Sequence, residues 1–213
     1  MGTNAGLFSS SLGKKYLMAI TGLFLCSFLV IHFLGNIALF TDPVQFNEYT
    51  RFMSSNPIIR VMEIVLVTGF LTHIVDAIIL TRANKKAQPV KYAMNKNKSS
   101  WYSRNMGLTG SVILAFLILH LQSFWYEYKF GEVLMTVDSN GDSIKDMFTI
   151  VQTAFSEWWY SAIYVLAMLL LGSHLNHGFQ SAFQSVGLRH KKYTPTIKML
   201  GTGFSISITV GFI

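Results

Sequence analysis

Long apolar runs dominate this chain, and polar or charged stretches separate them. Runs over 16–40, 57–81, 105–128 and 158–184 are predominantly apolar. As helices each is long enough to cross a hydrocarbon core of roughly 30 Å. A fifth run, 197–213, is shorter, about 25 Å at 1.5 Å per residue, and has no polar flank behind it. The pattern predicts an all-α membrane protein: one domain over 1–213 with five transmembrane helices. The first run is too long for a signal-peptide core and no small-residue cleavage site follows it, so it reads as a retained span. Between the third and fourth runs, Ile144, Met147, Phe148, Val151 and Phe155 recur at helical spacing and predict an amphipathic interfacial helix over 144–155. Asp138-Ser139-Asn140-Gly141-Asp142 just before it reads as a turn. Its glycine is fourth rather than sixth, and Thr149 stands where a calcium loop needs its closing glutamate.

Composition agrees, with 51% hydrophobic residues, 13% charged residues and a mean hydropathy of +0.41. A soluble domain carries about twice that charge. The cations are distributed unevenly. Lys14 and Lys15, then Arg82, Lys85, Lys86, Lys91, Lys96, Lys98 and Arg104, then Arg189, Lys191, Lys192 and Lys198 all fall on one side of the predicted spans. Arg51, Arg60, Lys129 and Lys145 fall opposite, among most of the acids. By the positive-inside rule the N-terminus is cytoplasmic. Trp101, Tyr102, Trp125, Tyr126, Trp158, Trp159 and Tyr160 mark the same boundaries as interfacial anchors. The net charge of +7 is therefore an orientation signal, and no nucleic-acid-binding pattern accompanies it. The stretch 82–104, which contains Pro89, reads as a solvated basic loop on which an acidic partner can dock. A single cysteine, Cys26, excludes an internal disulfide and any multi-cysteine metal site, and reads as a small apolar residue.

Polar residues inside spans are few, and histidine stands out. His32, His73, His120 and His174 occur one per span, each three or four residues past the span's centre. Because successive spans cross in opposite directions, His32 and His120 share one leaflet while His73 and His174 share the other. Ionisable groups in spans are costly and mark function. Two facing pairs suit two bis-histidine haems stacked across the membrane. A zinc site needs three or four ligands at one point. A proton relay in a transporter recruits acids, and only Glu63 and Asp76, both on the second span, are available. Phe28 and Gly35 beside His32, Gly69 beside His73, Phe116 and Phe124 around His120, and Leu170 and Gly178 around His174 suit a flat macrocycle. The same glycines equally suit close helix packing.

The order and spacing of these histidines resemble the five-helix di-haem cytochrome b membrane-anchor subunit of succinate dehydrogenases and menaquinol:fumarate reductases. Ser11-Leu12-Gly13-Lys14-Lys15, the run Thr21-Gly22-Leu23 and His32-Phe33-Leu34-Gly35-Asn36 are similar to that subunit's first helix. His174 stands 13 residues before Gly187, as the family's ligand histidine stands before its glycine, and His177 is left unmatched.

The resemblance implies four helices around two b-type haems. His73 and His174 are then the axial ligands of a proximal haem near the cytoplasm, and His32 and His120 those of a distal haem. It further implies flavoprotein and iron–sulfur partner subunits on the cytoplasmic face, with FAD and the clusters held there. Electrons would be exchanged with membrane (mena)quinone in a bacterial cytoplasmic membrane, and succinate chemistry would lie outside this chain. A purely structural, haem-free anchor is the simpler alternative. Glu63, with Arg60 one turn before it, is the candidate quinone-reactive group, and an interfacial ion pair is its plain alternative. Some fumarate-reducing relatives carry a proton-conducting glutamate two residues before the fourth ligand; here that position is Gly172. Asp76 reads either as a partner of something on the proximal side or as an ion pair with Arg82 or Arg104. His190 reads as solvated.

Overall fold

The computed structural model describes residues 10–87 and 101–213. Four long helices carry the apolar runs: α1 (Ser11–Asn36), α3 (Pro57–Ala87), α4 (Trp101–His120) and α7 (Trp158–Ser185). All four belong to segments long and apolar enough to cross a membrane, and in hydrocarbon a helix is the way a single segment satisfies its own backbone. Side chains such as Ile20, Ile64, Leu71, Leu108, Ile118 and Leu169 stay exposed, as lipid-facing residues do. Local signals start each helix. The Ser10 hydroxyl accepts from Gly13 N (2.9 Å) at the head of α1. Pro57 opens α3, where the Asn56 side chain accepts from Ile58 N (2.9 Å).

α1 lies against α3 and α7, α4 lies against α7, and α8 (Thr194–Gly211) packs antiparallel on α7 with a lighter contact to α1. α8 matches the fifth apolar run. It extends from Phe179, which meets Gly201, to the level of His32, which meets Phe212 at a ring distance of 5.7 Å. α4 does not end cleanly. It passes at Leu121–Tyr126 into a π-helical segment and then α5 (Glu127–Phe130), so the wider turn begins directly after His120. Such π segments recur at functional sites.

Two connections join at one end to form a cap. Helix α2 (Pro43–Ser55), which the apolar pattern does not reveal, packs on α6 (Met147–Ser156). Asp42 and Asp146 cap their N-termini, accepting from Gln45 N and Thr149 N. Asn47 is fully buried between them: its Nδ2 donates to Asp146 (2.9 Å) and its Oδ1 accepts from Phe148 N (2.9 Å). The 138–142 turn is present, with Gly141 at φ +86°, and it closes a two-stranded hairpin of β1 (Met135–Val137) and β2 (Ser143–Lys145). Arg51 on α2 pairs with Asp138 (2.8 Å) and Glu48 accepts from Ser139, which fastens the hairpin.

The expected interfacial helix over 144–155 is thus shorter, because Ile144 and Lys145 are spent on strand pairing. Its apolar face covers the bundle end, where Phe46, Phe124, Met147, Tyr160 and Tyr164 form a buried cluster with Phe148 and Val151 against it. The basic stretch also needs correction. Arg82, Lys85 and Lys86 continue α3 instead of opening a loop, while Pro89, Lys91, Lys96 and Lys98 lie outside the described residues.

Candidate functional site

The four span histidines are half-buried and sort into two layers. In the layer nearer the cap, the rings of His32 and His120 face each other edge-on, with centroids 5.6 Å apart and planes at 87°. Phe28 stacks on His32 (5.3 Å, 14°), and Phe116 and Phe124 bracket His120 at 5.8 and 5.4 Å. In the far layer, His73 lies over Gly22 of α1 and His174 over Gly110 of α4, where an added Cβ would stand 3.4 and 3.6 Å from each ring's Cε1. Gly22 and Gly110 each precede the cap-side histidine of their own helix by ten residues. At 1.5 Å per residue the layers are therefore about 15 Å apart along the bundle.

Each ring has its Nδ1 turned to a polar group. Thr21 Oγ1 lies 3.1 Å from His73 Nδ1 while donating its own proton to Leu17 O (2.8 Å). Thr109 Oγ1 lies 3.5 Å from His174 Nδ1 and donates to Met106 O (3.1 Å) and Asn105 O (3.2 Å). With the hydroxyl proton committed to a backbone carbonyl, each threonine accepts, so the imidazole carries its proton on Nδ1. His120 Nδ1 meets the Tyr164 hydroxyl (3.2 Å), which meets Tyr160 (3.0 Å), and both tyrosines are buried. His32 Nδ1 lies 3.5 Å from Asn36 Nδ2. Among the described residues no hydrogen bond is made to Nε2 of any of the four. Held at Nδ1–H by their threonines, His73 and His174 offer an unprotonated Nε2, the form that binds a metal, whereas at His32 the Asn36 amide N–H points at Nδ1 as a donor.

The sequence reading gave Thr21, Thr109, Tyr160 and Tyr164 no role beside the histidines, and of its two readings of the flanking glycines the structure shows the packing one. An added Cβ at Gly35 would meet Tyr49, at Gly69 Phe24 (2.9 Å) and at Gly178 Met106 (3.6 Å). These positions are filled by neighbouring helices, the packing alternative. The glycines beneath the imidazoles are instead Gly22 and Gly110, one helix away. At Gly172 the Thr209 hydroxyl of α8 occupies the space of a side chain, so a glutamate has no room there. His177 stays outside both layers and pairs with Ser181 of its own helix (3.2 Å). His190 is exposed and accepts from Lys192 N.

Glu63 is drawn into a cluster. Its carboxylate receives Arg60 (2.8 Å), Lys129 (2.5 Å) and the Trp125 indole N–H (2.6 Å). Ile64, Val67 and Thr68 line the groove beside it. The Arg60 pairing follows from spacing, whereas Lys129 and Trp125 come from the helix that carries His120. Asp76 is buried, its Oδ2 has no hydrogen-bond partner among the described residues, and Lys14 is the cation acting on it. No group of three or more His, Cys, Asp or Glu able to hold a metal occurs among the described residues. No family model, curated protein or solved structure matches the chain.

Proposed function

We propose that the chain is the di-haem cytochrome b membrane subunit of a succinate dehydrogenase or fumarate reductase, relaying electrons between a cytoplasmic iron–sulfur subunit and membrane quinone. The observation that carries this reading is the facing of His32 and His120 in one layer, with His73 and His174 in the other layer each held at Nδ1 by a threonine. The residues fit the group. His32 and His120 are 5.6 Å apart. Haem iron held by two such rings supplies one-electron transfer.

This chain's residues do the rest. His32 and His120 hold the distal group, and His73 and His174 hold the proximal one. Thr21, Thr109 and Tyr164 orient the rings, and the phenylalanines exclude water. α8, running the depth of the bundle from Phe179 to His32, serves as the fifth span. With the N-terminus cytoplasmic, the cap faces outward. The α2–α6 cap then closes the outer end, while the cationic ends of α3 and α7 offer the docking face for the flavoprotein and iron–sulfur subunits. Glu63, held by Arg60 and Lys129 beside an open groove, is the quinone-reactive group in this reading.

The test is haem content and optical spectra of single-histidine variants. Replacing His32 or His120 removes one b-type component, and replacing His73 or His174 removes the other. Loss of both from every single variant, or of neither, contradicts the paired assignment.

A further inference from the structure

Helices α1 and α4 share a spaced motif. Thr21, Gly22, Phe28 and His32 recur as Thr109, Gly110, Phe116 and His120 at identical intervals, with Met18 and Met106 three residues ahead of the threonine in each. The likeness carries into space. In each half, the threonine–glycine pair of the first long helix seats the histidine of the second: Thr21 and Gly22 of α1 take His73 of α3, and Thr109 and Gly110 of α4 take His174 of α7. Thr72 and Ser173 precede those histidines. Between the long helices of each half stands a cap helix, α2 or α6, with an aspartate at its N-cap. Each half therefore gives one histidine to each layer.

We infer that Thr21 and Thr109 are a duplicated pair of positioning residues that fix the tautomer, ring orientation and donor strength of His73 and His174, and thereby tune the redox potential of the far-layer centre alone. The inference rests on the di-haem reading above. Each hydroxyl proton is committed to the carbonyl one turn back, so the oxygen has only acceptor capacity to offer, and an Nδ1–H donating to it makes Nε2 a stronger base. A stronger axial base favours oxidised iron. The cap-side rings have different partners, a phenol at His120 and an amide at His32, so the device belongs to one layer. Gly22 and Gly110 complete it by leaving the space into which each ring is laid.

The experiment is a redox titration, with low-temperature EPR, of the purified full chain in its complex, comparing Thr21→Val, Thr109→Val and Thr21→Ser with wild type. The far-layer component is identified as the one missing from the His73 and His174 variants. Each valine variant raises the midpoint potential of that component and shifts its low-spin EPR signal, the cap-side component stays in place, and Thr21→Ser retains wild-type values. Loss of the far-layer component in Thr21→Val with retention in Thr21→Ser is the same result in stronger form. Unchanged potential and EPR signal in both valine variants, or a loss that serine does not restore, overturns the inference. Wild-type protein without b-type haem overturns the functional reading instead.

Discussion

Thr21 Oγ1 lies 3.1 Å from His73 Nδ1 across the α1–α3 contact, while its own hydroxyl hydrogen goes to Leu17 O. The relationship turns a span residue with no evident role into the element that decides which nitrogen of His73 is free. Its counterpart at Thr109 and His174 makes the arrangement a property of the architecture and not of one contact.

Tyr164 supplies the corresponding contact in the cap-side layer. Tyr164→Phe removes the hydroxyl that meets His120 and Tyr160. The expected outcome is a displaced midpoint potential for the cap-side component, an unmoved far-layer component and a stability loss of about 1 kcal/mol. Redox titration and thermal unfolding of the same preparation read both.

Gly172 of α7 faces Thr209 of α8 with no space for a side chain between them. Gly172→Ala forces the new methyl into the Thr209 side chain and is expected to cost about 1–3 kcal/mol, with Gly172→Glu worse. Thr209→Ala in the same chain recovers part of the loss, and a double-mutant cycle on thermal unfolding in detergent measures the coupling.

Asn47 joins the two cap helices. Asn47→Leu keeps similar bulk but leaves Phe148 N without its acceptor and Asp146 without one donor. A loss of about 1–3 kcal/mol follows from the one amide left unmet, since Asp146 keeps its hydrogen bonds from Thr149. Limited proteolysis of the 131–157 connection should accelerate while the span helices stay protected.

Acid loosens the hairpin side of the cap. Hydrogen bonds from the backbone of Asp142 and Asn140, and the nearby Arg51, hold the Asp138 carboxyl below its ordinary value. Hydrogen bonds from Ser139 do the same for Glu48. A carboxyl depressed in the folded state contributes stability above its unfolded value of about 4, and that contribution disappears as pH falls through the lower folded value. The melting-temperature gap between wild type and Asp138→Asn is therefore present at pH 6–7 and closes below about pH 4.

Much of the fold is legible in the chain because a span must be apolar for the length of the bilayer. Pro57 and Trp158 begin α3 and α7 where the pattern places them. The depth rule also puts His32 with His120, and the rings meet. Helix α2 escaped because its polar and apolar residues mix over only thirteen positions and its packing partner, α6, is about a hundred residues away. Gly35, Gly69 and Gly178 misled because spacing along one helix does not say which neighbour fills a gap. Thr21 entered only as part of a resembling run and Thr109 not at all, because a threonine bonding back to its own helix is ordinary in a span. Their shared spacing to His32 and His120 is the signal that reveals them.

The most direct measurement is a dithionite-reduced minus oxidised spectrum of the purified membrane complex, with haem quantified per copy of this chain. Paired imidazoles in two layers predict b-type bands at about two haems per chain. A colourless protein, or one haem lost only when all four histidines are replaced together, contradicts them and favours a haem-free anchor or a proton-coupled transporter.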